Sequence, residues 1–155
     1  MKFYLVMFIF INSLFGQNIE SLVGKKYEDL ILKQENCPIK KVPISKYKKW
    51  LGYVQFKNSV IVAVSSAKYT FTYAMQNKKN NIHRIYMTDY NTGKIIEAKK
   101  ASYVFGSRIM SIGGDDIIPF EKKEDAMTFF KKEGGKKIFG IERMTENFIN
   151  YLELK

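Results

Sequence analysis

From Trp50 to Phe56 the positions Trp50, Gly52, Val54 and Phe56 fall on alternate residues, the period of a strand with one face turned inward. Lys57, Asn58 and Ser59 supply turn residues, and a second apolar run from Val60 to Val64 completes a hairpin. Ser65 and Ser66 are suited to cap a helix whose Ala67, Phe71, Ala74 and Met75 recur on one face. Asn77 to Asn81 reads as the loop that ends this helix, and Ile82 to Met87 as a further strand.

The second half repeats the order. Tyr103 to Phe105 reads as a strand, Gly113 and Gly114 lie in a connection, and Ile117 to Phe120 reads as the next strand. A helix near Glu124 to Glu133 turns Ala126, Phe129 and Phe130 inward, Gly134 and Gly135 stop it, and Lys137 to Ile141 returns as a strand. Each half is therefore strand, strand, helix, strand, and a unit that small buries its own sheet face poorly, so the two copies should pack together or share a partner. A last helix from Thr145 to Leu154 starts on a threonine cap and offers Phe148, Ile149 and Leu152 to the remaining apolar surface. The fold class expected is α+β, with two tandem strand-strand-helix-strand modules and a C-terminal helix.

The chain before Trp50 follows other rules. Lys2 precedes an apolar run from Phe3 to Phe15, followed by Gly16 and Gln17, which is the layout of a secretory signal. The run is shorter than the ~20 apolar residues a membrane span takes. An uncleaved anchor is the alternative reading. Tyr27 to Gln34 carries enough helical spacing for a turn or two, and Pro38 and Pro43 bracket an extended loop. The expected organisation is a signal peptide over 1–16, an N-terminal segment over 17–46, a first module over 47–93, and a second module with the final helix over 94–155.

Composition narrows the functions. Hydrophobic residues make up 46% of the 155 residues and aromatics 15%, enough apolar surface to offset the entropy of ordering the chain. The formal charge is +11, from 26 Lys and Arg against 15 Asp and Glu. Such a surplus reads first as a lysine-rich solvated surface, with peripheral association to membrane or to an acidic protein as the alternative. Nucleic acid is not expected: the cations are mostly lysine, with arginine only at Arg84, Arg108 and Arg143, and no glycine-aromatic nucleic-acid motif occurs.

No constellation for catalysis is visible. The single histidine, His83, begins a strand, where a partly exposed side chain is the ordinary outcome. Asp115 and Asp116 are adjacent on a glycine-containing loop, which favours a turn over a catalytic dyad. Ser111-Ile112-Gly113-Gly114 lacks the Gly-Lys-Ser/Thr ending of a phosphate loop, and no serine nucleophile motif occurs. The chain reads as a non-enzyme. Cys37 is the lone cysteine, so it forms no intrachain disulfide. In an exported protein it is a buried inert thiol, half of an intermolecular bridge, or a soft metal ligand. Thiolate and thioether sulfur select Cu(I), and Met110, beside the glycine-rich connection, is the methionine in a plausible site loop.

The order of these pieces resembles the NosL family of nitrous oxide reductase accessory proteins, from about Cys37 to Thr145. The resemblance is most specific in Ala101-Ser-Tyr-Val-Phe-Gly-Ser107, in Ile118-Pro-Phe120, and in Glu124-Asp-Ala126 with Phe130 and Gly134-Gly135; it is looser at Trp50 and Thr88-Asp89. It implies the paired modules, periplasmic location, Cu(I) as the bound ion, and copper ABC transporter or nitrous oxide reductase assembly factors as partners. The family motif Cys-Pro-x-Cys-Gly-Met stands here as Cys37-Pro38-Ile39-Lys40-Lys41-Val42, and the later Gly-Pro-Met-Gly as Ser111-Ile112-Gly113-Gly114. One cysteine survives, leaving Cys37 and Met110 as the candidate metal ligands. Cu(I) delivery through a rearranged or weakened site is one expected function. The alternative is a metal-free relative that uses the scaffold as a periplasmic protein-binding module.

Overall fold

A computed structural model describes residues 18–154, so the expected signal peptide lies outside the described residues. The first module consists of β1 (Gly52–Phe56), β2 (Ile61–Val64), α1 (Ala67–Gln76) and β3 (Ile82–Thr88), with a short fourth strand, β4 (Ile95–Glu97). All pairings are antiparallel and the strand order is β2-β1-β3-β4. The second module runs β5 (Ser102–Phe105), β6 (Ile117–Phe120), α2 (Lys123–Glu133) and β7 (Lys137–Phe139), in the order β6-β5-β7. The arrangements β2-β1-β3 and β6-β5-β7 are the same topology, so the internal repeat read from the sequence is present in the fold. α3 (Glu146–Glu153) follows.

Local chemistry sets the boundaries. Ser66 caps α1 by accepting the N–H of Tyr69 at 3.4 Å, and Thr145 caps α3 by accepting that of Phe148 at 3.3 Å. α2 ends where Gly134 takes the left-handed conformation at φ 68°, which costs a residue with a Cβ. Gly52 answers a different need: an added Cβ would lie 2.2 Å from Thr70 Oγ1, so only glycine lets β1 approach α1 this closely.

The halves pack together. Ala67, Phe71 and Met87 share one core cluster with Tyr103, Ile117, Phe148 and Ile149, so α3 and the second sheet complete the interior of the first module. Asp89 adds a polar tie, its Oδ2 accepting the N–H of Glu121 at 2.6 Å while Oδ1 takes the N–H groups of Asn91 and Thr92. Trp50 ends a 3-10 turn instead of opening β1, and packs edge-on against Tyr90 at 5.5 Å.

The N-terminal segment is a third layer. β1 is buried on both faces. Its second face, through Tyr53, meets Leu22, Cys37, Ile44 and Leu51, and Gln55 donates to Glu20 O at 2.9 Å. The helical spacing over 27–34 yields only a 3-10 turn at Tyr27–Asp29. The remainder is drawn alongside β2, where the Gln34 side chain bonds both the N–H and the carbonyl of Ala63, at 2.8 and 2.7 Å. That pairing covers part of an edge a helix would leave open.

Candidate functional site

The stretch bracketed by Pro38 and Pro43 closes into a tight turn, where an extended loop was expected. Asn36 and Pro43 form a bridge, Cys37 N–H donates to Val42 O at 2.8 Å, and Lys41 N–H donates to Cys37 O at 2.9 Å. Lys41 sits at φ 57°, a region in which glycine is at ease and lysine is not. It stands where the motif of the resemblance carries glycine, and the turn is closed with Lys40 and Val42 in the places of the motif's second cysteine and methionine.

Cys37 is 0% exposed. Its Sγ accepts the N–H of Lys40 at 3.5 Å, the N–H of Ser65 at 3.4 Å and the hydroxyl of Ser65 at 3.2 Å. Ser65 therefore serves the sulfur while its neighbour Ser66 caps the helix, a division that two adjacent serines in the sequence do not reveal. Met110 is 59% exposed and lies outside the cluster that encloses Cys37. Among the described residues no group of three or more His, Cys, Asp or Glu side chains gathers as a metal site. His83 is exposed on β3.

The two loops nevertheless meet, at the first turn of α1. Ser111 and Gly114 exchange backbone hydrogen bonds of 3.1 Å, closing the second loop. Gly113 lies against the Tyr69 ring, where a Cβ would stand 2.5 Å from the Tyr69 oxygen, and Ile112 packs on the cluster around Cys37. The Lys40 ammonium lies over the same ring at 5.4 Å. Tyr69 is thus the shared wall of the loops that carry Cys37 and Ser111 to Gly114.

Beneath this wall is a buried cation that sequence reasoning missed. Lys68 is 0% exposed, and its Nζ donates to the carbonyls of Gly113, Asp115 and Leu152 at 2.6, 2.8 and 3.0 Å. Its backbone N–H donates to Asp116 Oδ1 at 2.9 Å, as does that of Ile117 at 2.8 Å. Burial lowers the Lys68 pKa, opposed by the carboxylates of Asp116, Glu153 and Asp115. Burial raises that of Asp116, opposed by the Ser111 and Ser66 hydroxyls and by the two backbone donors, and its Oδ2 has no hydrogen-bond partner. One signal was present in the sequence: Lys68 is the single charge of α1.

The raised Asp116 pKa fixes a pH dependence. Protonation is easier in the fold than in the unfolded chain, so the stabilisation it brings is complete below about pH 4 and is lost as pH rises through the elevated folded value. Asp116→Asn stays neutral throughout. Wild-type stability should therefore gain on that of Asp116→Asn during acidification, as measured by urea unfolding at matched pH. Movement in the opposite direction would show the ionised form to be the favoured one.

Two like modules, one carrying an extra strand and both closed by a terminal helix, define an α+β scaffold. This fold is similar to the crystal structure of the copper chaperone NosL from Shewanella denitrificans, with a TM-score of 0.66 and 20% identity over 76% of this chain and 95% of that one. The NosL family model matches residues 30–149, and the chain belongs to the NosL family. No curated protein matches it.

Proposed function

We propose that this chain is a periplasmic, non-enzymatic accessory protein that handles Cu(I) in the maturation of nitrous oxide reductase, with Cys37 as its principal contact to the ion and Met110 as a second sulfur. Copper is cargo in this reading. Partners that pass or receive it would be a copper ABC transporter or assembly factors of the reductase. The observation that carries the reading is the turn at 36–43: it has a backbone bridge, a left-handed residue at Lys41, and a sulfur held by three donors. A turn that keeps a strained residue in place is expected where its shape is used.

The same geometry sets the terms of binding. Sγ is enclosed, so an ion reaches it only when the turn opens, and Lys40 places a positive charge beside the path. A metal-free role as a protein-binding module is the second reading, favoured by that enclosure and by the lost cysteine and methionine.

Anaerobic titration of the mature protein with Cu(I) against a competing chelator separates the two. The copper reading expects one equivalent to bind, with affinity falling more than tenfold in Cys37→Ser, a loss above about 1.4 kcal/mol, and by less in Met110→Leu. Affinity unchanged in both variants removes the copper reading and leaves the binding module.

A further inference from the structure

A cleft of about 860 Å³ opens between β7 and α3, on a part of the molecule separate from the Cys37 turn. Its floor is aromatic: Phe105 and Phe148 are edge-on at 5.7 Å, and Phe139 and Phe148 at 5.4 Å. Its rim is cationic, from Lys136, Lys137 and Arg143, all exposed. The Arg143 guanidinium lies 5.0 Å from the Phe148 centroid and 5.6 Å from that of Phe139, so the rings hold the charge over the cleft. No carboxylate lines the cleft, and among the described residues none forms an ion pair with these three cations. The nearby carboxylate of Glu142 accepts the N–H of Gly140 at 3.1 Å.

Another cleft, beside Tyr90, shows the contrast, for there Lys49 and Lys132 are accompanied by Asp125 and Glu133. The cations at β7 thus lack the acidic neighbours that Lys49 and Lys132 have. Aromatic floor and unpaired cations together fit a ligand that brings an apolar side chain and several negative charges. Phe148 is only 6% exposed at the base of the cleft, so a flat bilayer would meet the cationic rim and the half-buried Phe139 before it reached that ring. A chain segment can enter. β7 is also the outer strand of its sheet, in the order β6-β5-β7, which gives an extended segment a strand to lie beside.

We infer that the cleft between β7 and α3 is a docking site for an acidic peptide segment of a partner protein, anchored by an apolar side chain on Phe139 and Phe148 and held by Lys136, Lys137 and Arg143. This inference goes beyond the copper reading and does not depend on it.

The test uses the mature protein, isotopically labelled, and a short capped peptide with a central phenylalanine flanked by aspartate and glutamate. Amide shift changes should gather over residues 136–148, and fluorescence anisotropy should give an affinity that falls with added salt. The double variant Lys137→Glu with Arg143→Glu should weaken binding at least tenfold, whereas Lys122→Glu with Lys123→Glu, an equal charge change on exposed residues near the start of α2, should alter it less than about twofold. Arg143→Lys keeps the charge but loses the planar stack and should fall between them. Thermal unfolding of each variant confirms that the fold is retained. Shift changes elsewhere, equal losses in both reversal pairs, or tighter binding to phosphatidylglycerol vesicles with the same sensitivity to Arg143 would each overturn the inference, the last in favour of a membrane.

Discussion

Replacing Lys68 with methionine is expected to destabilise the protein by about 3–5 kcal/mol, because it leaves three carbonyls without their donor, at ~1–3 kcal/mol for each one kept from water. The apolar stem is preserved, so lost packing is small. What goes is the ammonium, and with it the partners of the Gly113, Asp115 and Leu152 carbonyls, while Asp116 is left buried beside no positive charge. Urea unfolding at neutral pH measures the loss. In the double variant Lys68→Met with Asp116→Asn the cost should be smaller than the sum of the two single changes, since the second removes the stranded carboxylate. A single-variant loss below about 1 kcal/mol would mean that water satisfies those carbonyls and that Lys68 is not what holds the 111–116 loop.

The second large effect lies at β1. Gly52→Ala is expected to cost about 1–3 kcal/mol by overpacking, as its methyl group would fall 2.2 Å from Thr70 Oγ1 and 2.8 Å from Thr70 Cβ. Thr70 has little room to yield, because it lies on α1 and its hydroxyl donates to Ser66 O at 2.7 Å. Adding Thr70→Ala should recover part of the loss even though it removes that hydrogen bond. Thermal unfolding of both single variants and the double variant gives the answer; strictly additive losses would place the strain somewhere other than this contact.

These two residues show what the sequence discloses and what it conceals. Strand and helix periods placed β1, β2, α1, β3, β5, β6, α2 and α3, and the serine and threonine caps and the Gly134 stop lie where their chemistry predicts. Those signals are local. β4 escaped because Ile95-Ile96-Glu97 is too short for a period to show, and the strand exists through its pairing with β3 and through Gly24 N–H donating to Ile95 O at 2.9 Å. The segment over 27–34 has helical spacing but spends its polar groups on β2, a contact no window of sequence contains.

The site was legible in the same uneven way. Residue type singles out Cys37 and Met110, and Met110 is exposed and outside the cluster around Cys37; the meeting of the Cys37 turn with the 111–114 loop at Tyr69 has no sequence signal, since α1 is what brings them there. Lysine is rarely buried, so Lys68 reads as a surface charge, and a carboxylate on a glycine loop reads as part of a turn, as Asp116 does. Both residues depart from the average behaviour of their type, and both tie the 111–116 loop to α1.

The shared interior of the two modules has a consequence for where the chain can be interrupted. Phe71 and Met87 rest on Tyr103, Ile117 and Phe148, so a cut in the connection between β4 and β5 would strip each piece of the surface that covers it. Neither fragment has its own complete wall against water, and each would find one only by reassociating with the other. The repeat thus carries a dependence between its halves, not a pair of separable units.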